Sequence, residues 1–132
     1  MRSKWEGVNK AKARARPGDL NKTEQRRARV LETQRLAGEI QGWTSQSVSL
    51  SLAKGTWYRP DFLVVSGDGH VVFEEVKGRR GWKLDPQGRV KFKAAAGLYP
   101  FFAFRGVLAA PGGGWHIEDV EPASQWPPVM PA

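Results

Sequence analysis

The sequence of 132 residues contains no cysteine, which excludes disulfide bonds, thiolate zinc sites and cysteine nucleophiles. No apolar run approaches the roughly 18 residues that a membrane-spanning helix needs. The basic N-terminal stretch is not followed by an apolar segment, so it lacks the pattern of a secretory signal. These absences favour a cytoplasmic protein that works in a reducing compartment and does not enter a membrane.

Several kinds of catalytic site are missing as well. The two histidines, His70 and His116, belong to no cluster, which argues against an HNH or zinc nuclease and indicates surface or strand positions. The glycines at 112–114 are followed neither by a helix nor by a Lys-Ser/Thr pair, so they predict a turn rather than a phosphate-binding loop. No serine stands in a nucleophile-elbow motif.

Positive charge is present in excess. The chain has 21 lysines and arginines against 13 aspartates and glutamates, a formal net charge of +8. Such a balance favours a polyanionic partner, because contacts with phosphates release condensed counterions. Hydrophobic residues make up 40% of the chain, which is enough for one globular domain with a modest core.

The composition divides the chain into three parts. Residues 1–20 carry six basic side chains and few large apolar ones, which predicts a flexible basic arm that either follows a phosphate backbone or is a solvated tail. Residues 21–121 form the single folded domain. Residues 122–132 contain four prolines and predict a C-terminal tail without regular structure.

The first predicted element is a helix from about Lys22 to Gly38. Asn21 can cap it, and Glu24 stands at the spacing of a capping box. Ala28 and Leu31 follow Glu24 at four and seven residues, so all three lie on one helical face and Glu24 should point toward the core.

The rest of the domain predicts strands around a second helix. Alternating apolar and polar residues, turn signals and a continuous apolar run give strands at 45–53, 56–65, 70–77, 101–110 and 115–120. A helix from about Val90 to Leu98, ended by Pro100, separates the third and fourth strands. The first three strands predict an antiparallel meander. The order α-β-β-β-α-β-β predicts an α/β (α+β) domain with one mixed sheet flanked by helices.

Two carboxylates and an ammonium are expected to meet on the central hairpin. Side chains alternate along a strand, so Glu75 and Lys77 share one face while Glu74 and Val76 share the other. A hairpin brings Asp61 beside Glu75, and the pair would suit Mg²⁺ or Mn²⁺, with the Val76 carbonyl as a third ligand. The alternatives are a solvated turn for Asp61 and an exposed cross-strand ion pair for Glu75 and Lys77.

The segment Pro60-Asp61, a strand hairpin and Glu75-Val76-Lys77 resembles the signature of the PD-(D/E)xK nuclease superfamily. The resemblance covers about residues 20 to 120 and extends to a small phage-encoded branch and to phage and archaeal Holliday-junction resolvases. It implies a restriction-endonuclease-like domain that cuts DNA, branched DNA above all, with Mg²⁺ or Mn²⁺, encoded by a phage or prophage and working in a bacterial cell. It also places Glu24 in the metal site, whereas the capping box alone would explain a Glu there.

A basic surface is expected around this site. Trp57 and Trp82 would either stack on nucleic acid or anchor a loop, and anchoring is the more frequent role of tryptophan. The side chains expected to contact DNA phosphates are those of Lys54, Arg79, Arg80, Lys83, Arg89, Lys91 and Lys93.

Two other functions stay open from the sequence. One is a nuclease fold that binds nucleic acid without cutting it, and the other is a basic RNA-binding protein. Symmetric junction cleavage needs two active sites, so a homodimer is compatible with the nuclease hypothesis. The apolar stretch 107–110, with the neighbouring Trp-bearing edge, is the candidate interface.

Overall fold

The computed structural model describes residues 19–120, so nearly all of the predicted basic arm and the whole predicted tail lie outside the described residues. Its helices are α1 (Lys22–Leu36) and α2 (Pro86–Leu98). Its strands are β1 (Ile40–Ser45), β2 (Leu50–Ala53), β3 (Thr56–Tyr58), β4 (Phe62–Ser66), β5 (Val71–Lys77), β6 (Ala103–Ala109) and β7 (Trp115–Val120). Among residues 19–120, neither helix is long and apolar enough to cross a membrane.

Five strands form the central sheet in the order β1-β4-β5-β6-β7. β5 and β6 run parallel and are joined through α2, while the other neighbours are antiparallel. Strands β2 and β3 form a separate two-stranded sheet. The predicted mixed α+β class is therefore confirmed.

Each face of the central sheet is covered by a different layer. α1 packs Leu31 against Phe62, Val64 and Val107 on one face. α2 packs Phe92 on the other face, in a cluster that includes buried residues of the β2–β3 hairpin. The alternation of apolar side chains along β4 and β5 supplies both clusters, which gives a layered core with the sheet in the middle.

The predicted meander is wrong in two respects. The sequence predicts no strand before residue 45, because Gly38 and Gly42 are typical of a helix end. The structure forms β1 there and pairs it with β4 in the central sheet. The predicted strand 56–65 is interrupted at Pro60, which has no N–H to donate to a ladder. The hairpin before this break therefore forms its own two-stranded sheet. β2 pairs with β3, and β4 with β5, in the antiparallel sense expected of the meander.

Part of the candidate dimer interface, the stretch 107–110, lies inside the sheet, whereas the Trp-bearing strand β7 lies at its edge. β6 lies between β5 and β7, and Val107 is 0% exposed. The apolar character of this stretch reflects a strand inside the sheet, whereas β7 forms its edge as predicted.

Candidate active site

The site begins where β4 and β5 separate. Phe62 is the first residue of β4 and stands opposite Glu74, so Asp61 lies just beyond the last paired position. The Val76 N–H donates to Oδ2 of Asp61 at 2.7 Å. The Asp61 carboxylate therefore accepts the hydrogen bond of a β5 amide that lies beyond the last residue pair of β4 and β5.

Glu75 and Lys77 occupy the same face of β5, as the alternation predicts. Oε1 of Glu75 accepts a hydrogen bond of 2.5 Å from the Tyr58 hydroxyl, and Oε2 lies 3.3 Å from Nζ of Lys77. Glu74 points to the opposite face, where both its oxygens accept from Arg27 at 2.8 Å. Glu75, and not Glu74, therefore reaches the site, and it is only 8% exposed.

The first turn of α1 supplies a third carboxylate. Asn21 and Glu24 form the predicted capping box: the Asn21 N–H donates to Oε1 of Glu24 at 2.9 Å, and the Glu24 N–H donates to Oδ1 of Asn21 at 2.8 Å. Glu24 is nevertheless buried and lines the same cavity as Asp61, whose pKa is raised by burial and then by the charges of Glu75 and Glu24 itself. Capping and participation in the site are thus geometrically compatible.

These groups surround one open cavity of about 330 Å³ at the C-terminal end of β5. Backbone and side chains of the turn that follows β5 complete its wall. Its charged lining consists of the carboxylates of Glu24, Asp61, Glu75 and Asp85 and the cations of Lys77, Arg79 and Arg80.

The carboxylates repel one another inside this cavity. Burial raises the pKa of Asp61 well above its ordinary value, and the charges of Glu75 and Glu24 raise it further, against a single Val76 N–H that lowers it. Burial also raises the pKa of Glu75, although Tyr58 and Lys77 act in the opposite direction. A cation bound between them would relieve this excess of negative charge.

The donor set fits a hard divalent cation. Asp61, Glu75 and Glu24 offer carboxylate oxygens, and Val76 offers the backbone carbonyl beside them, which are the ligands that Mg²⁺ and Mn²⁺ take. Within residues 19–120, no three acidic or imidazole side chains converge as a finished metal cluster. Mg²⁺ usually keeps several of its own waters, so a partial set of protein ligands is consistent with it.

Lys77 is held in place by a residue that the sequence interpretation missed. Its Nζ lies 2.7 Å from Oδ2 of Asp85, whose other oxygen accepts from the Gly88 N–H at 2.9 Å and caps α2. Burial disfavours the ammonium, but the hydrogen bonds and charges of Asp85 and Glu75 outweigh it and raise the pKa of Lys77. The signal for Asp85 was its place directly before Pro86, a typical cap and first helical residue.

Tyr58 was also missed. It lies at the end of β3 and is buried against Phe92, with its hydroxyl directed at Glu75. Burial, followed by the charge and hydrogen bond of Glu75, raises the pKa of Tyr58 far above its usual value, so the hydroxyl stays protonated and donates. No local sequence pattern distinguishes this tyrosine, because its role depends on how the hairpin folds back over β5.

The predicted basic residues fall into two groups. Arg79 and Arg80 line the cavity, and the Arg89 guanidinium lies 5.5 Å from the Trp82 ring centroid. Four of the predicted lysines are exposed and lie outside the cavity lining: Lys54, Lys83, Lys91 and Lys93.

The two tryptophans have different environments. Trp82 is buried and donates its Nε1–H to Glu118 at 3.1 Å, which matches the anchoring interpretation. Trp57 is 57% exposed on the β2–β3 hairpin, so anchoring is wrong for it. The two histidines are exposed, as predicted.

Comparison with protein-family models, with curated proteins and with solved structures gives no match.

Proposed function

We propose that this protein is a metal-dependent nuclease that hydrolyses phosphodiester bonds in DNA. The observation that carries the proposal is the grouping of the Asp61, Glu75 and Glu24 carboxylates around one cavity beside the Lys77 ammonium. These carboxylates would hold Mg²⁺ or Mn²⁺, which supplies neutralisation of the phosphate and acidification of the attacking water. The carboxylates of the cavity would bind the cation, while the net positive charge of the whole protein would attract the polyanionic DNA.

Each residue around the carboxylates has a definite task. Tyr58 fixes the orientation of Glu75 by donating to one of its oxygens. Lys77 remains an ammonium and is held by Asp85, so it offers a positioned charge for a phosphoryl oxygen or the attacking water rather than acting as a base. Arg79 and Arg80, on the same wall, add positive charge for the flanking phosphates.

The resemblance to the PD-(D/E)xK nucleases supports a more specific proposal. The substrate would be branched DNA such as a Holliday junction, the origin a phage or prophage, and the place of action the bacterial cytoplasm. A homodimer would provide the two active sites that symmetric cleavage requires. A binding module without activity and a basic RNA-binding protein are the competing outcomes of the test below.

The test is a cleavage assay on labelled linear, forked, four-way and single-stranded DNA with Mg²⁺ or Mn²⁺. Asp61→Asn, Glu75→Gln and Lys77→Ala should lose cleavage but keep DNA binding. Asp68→Asn and Glu39→Gln make the same chemical changes at exposed positions outside the cavity and should cut normally.

Three results would contradict the proposal. Unchanged cutting in all three cavity variants would remove the assigned site. DNA binding without cleavage of any substrate would favour the binding module. Tight RNA binding with no affinity for DNA would favour the RNA-binding protein.

A further inference from the structure

A second groove, of about 480 Å³, lies along the outer flank of α1. Its other side is formed by Gly113, in the turn that precedes β7, and by Trp115, the first residue of β7. The lining contains two arginines, Arg26 and Arg29, and no carboxylate. This groove is separate from the carboxylate cavity, because the two share no lining residue.

The base of the groove is held by specific contacts. Arg26 donates through Nη2 to the Gly113 carbonyl at 3.0 Å, and its Cζ lies 4.7 Å from the centroid of the Trp115 ring. Arg27 lies 5.7 Å from the same ring, and its guanidinium binds Glu74. The guanidinium of Arg26 is thus held between the Gly113 carbonyl and the Trp115 ring, and its charge has a defined position in the groove.

Arg29 resembles Arg26 in that no carboxylate among the described residues forms a salt bridge with it. Arg29 is exposed. Arg35 on the same helix provides the contrast, because it forms a 2.6 Å ion pair with Glu32 and does not line the groove. The groove thus exposes positive charge that an anionic ligand can use.

The position of the groove connects it with the cavity. Asn21 and Glu24 line the cavity at the start of α1, and Arg26 and Arg29 follow on the same helix. At 1.5 Å rise per residue, Arg29 lies roughly 7.5 Å beyond Glu24 along the helix axis. Five residues also turn the helix by roughly 140°, so a DNA strand that leaves the cavity would reach Arg29 by passing over the flank of α1.

We propose that the α1 groove binds the phosphate backbone of the nucleic-acid strand that leaves the cavity. Lys22, Arg26 and Arg29 stand at spacings of four and three residues, which places them along one side of the helix in the direction of the strand. This inference rests on the proposed nuclease function and adds a substrate-binding surface away from the reacting phosphate. The expected contacts carry no base specificity, since they go to phosphates.

The test compares Arg29→Gln with Arg35→Gln. Both substitutions remove one exposed arginine from the same helix and change the net charge equally. Affinity for short labelled duplex and single-stranded DNA is measured in EDTA over a range of salt concentrations. Arg29→Gln should weaken binding roughly three- to tenfold and make the salt slope shallower by about 0.7 to 0.9, whereas Arg35→Gln should match the wild type.

A second readout separates this inference from the function itself. In single-turnover cleavage at subsaturating enzyme, Arg29→Gln should cut more slowly than the wild type in proportion to its loss of affinity, whereas Arg35→Gln, which does not line the groove, should cut at the wild-type rate. Equal affinity and salt slope in the two variants, with wild-type binding intact, would overturn the groove but leave the nuclease proposal standing. Absence of DNA binding by the wild-type protein would overturn both.

Discussion

Asp61 shows most clearly how the site departs from a fold built for stability alone. Its carboxylate lies beside two others, and burial raises its pKa. A neutral side chain of the same shape would keep the hydrogen bond from the Val76 N–H and avoid the repulsion. A charge kept in such a place is more often functional than structural.

We expect Asp61→Asn to stabilise the metal-free protein at neutral and basic pH. Because the folded-state pKa of Asp61 is raised, its contribution to stability is full below the unfolded value near 3.9 and is lost as the pH rises through the folded value. Thermal unfolding in EDTA should therefore give a higher Tm for Asp61→Asn at pH 8, and the difference should shrink toward pH 4.

The matched control is Asp68→Asn in an exposed turn. The pKa of Asp68 is lowered, chiefly by a hydrogen bond from Ser66, so this variant should not gain stability with rising pH. If the Tm of Asp61→Asn stays below that of the wild type at pH 8, the buried charge of Asp61 does not destabilise the metal-free protein.

Glu24 has two roles that substitutions can separate. Glu24→Gln keeps an oxygen for the Asn21 N–H but removes the charge from the cavity, so we expect near wild-type stability and cleavage reduced roughly 10- to 1,000-fold. Asn21→Ala removes the cap but leaves the carboxylates, so we expect about 1 kcal/mol lower stability and nearly normal cleavage. Urea unfolding and single-turnover cleavage measure the two effects.

The opposite pattern would limit Glu24 to capping. Normal cleavage in Glu24→Gln, together with a loss of stability similar to that of Asn21→Ala, would exclude it from the metal site.

Residues at the site differed in how well the sequence revealed them. The period of two along a strand is strict, so the sequence was sufficient to separate Glu75 and Lys77 from Glu74. Tyr58 acts across 17 residues and Asp85 across eight, through contacts that exist only after the hairpin and α2 have packed. Such contacts depend on tertiary structure and leave little trace in a local pattern.

At the scale of elements, α1 is attached to the sheet by a buried ion pair. Arg27 and Glu74 form a two-pronged interaction at 2.8 Å, with side chains only 7% and 1% exposed. We expect Arg27→Ala to lower the free energy of unfolding by about 3–5 kcal/mol, because it leaves the Glu74 charge buried without a partner. Urea denaturation monitored by tryptophan fluorescence measures this loss.

Replacing both partners should be much less harmful. The pair Arg27→Met and Glu74→Leu fills similar volume without charge, and it should recover most of the stability lost in Arg27→Ala. If the double variant loses as much free energy of unfolding as Arg27→Met and Glu74→Leu lose separately when added together, the ion pair is not the main attachment of α1 to β5.

Element pairing was predicted less well than element type. The hydrophobic patterns identified both helices, the β4–β5 hairpin and the edge strand β7. They missed β1, because Gly42 and the preceding Gly38 resemble a helix end, although Trp43 packs against Phe62 once β1 pairs with β4. Which strand pairs with which is decided by long-range contacts, and Pro60 redirected the chain between two of them.

For the whole molecule, the central electrostatic feature is an acidic cavity within a basic protein. The five candidate phosphate contacts are Arg79 and Arg80 on the cavity wall and Lys22, Arg26 and Arg29 on α1. Five contacts to duplex DNA predict a slope of log K against log salt of about −4.5, or roughly 500-fold weaker binding from about 50 to 200 mM salt. Fluorescence anisotropy in EDTA measures this slope, and a flat response would argue against phosphate recognition.

Whether the cavity carboxylates bind a divalent cation is tested by calorimetric titration of Mn²⁺ into wild-type protein, Asp61→Asn and Asp68→Asn. We expect one class of binding site in the wild type and in Asp68→Asn, and a large loss of affinity in Asp61→Asn. Equal Mn²⁺ affinity in all three proteins would show that the cavity carboxylates do not hold the metal.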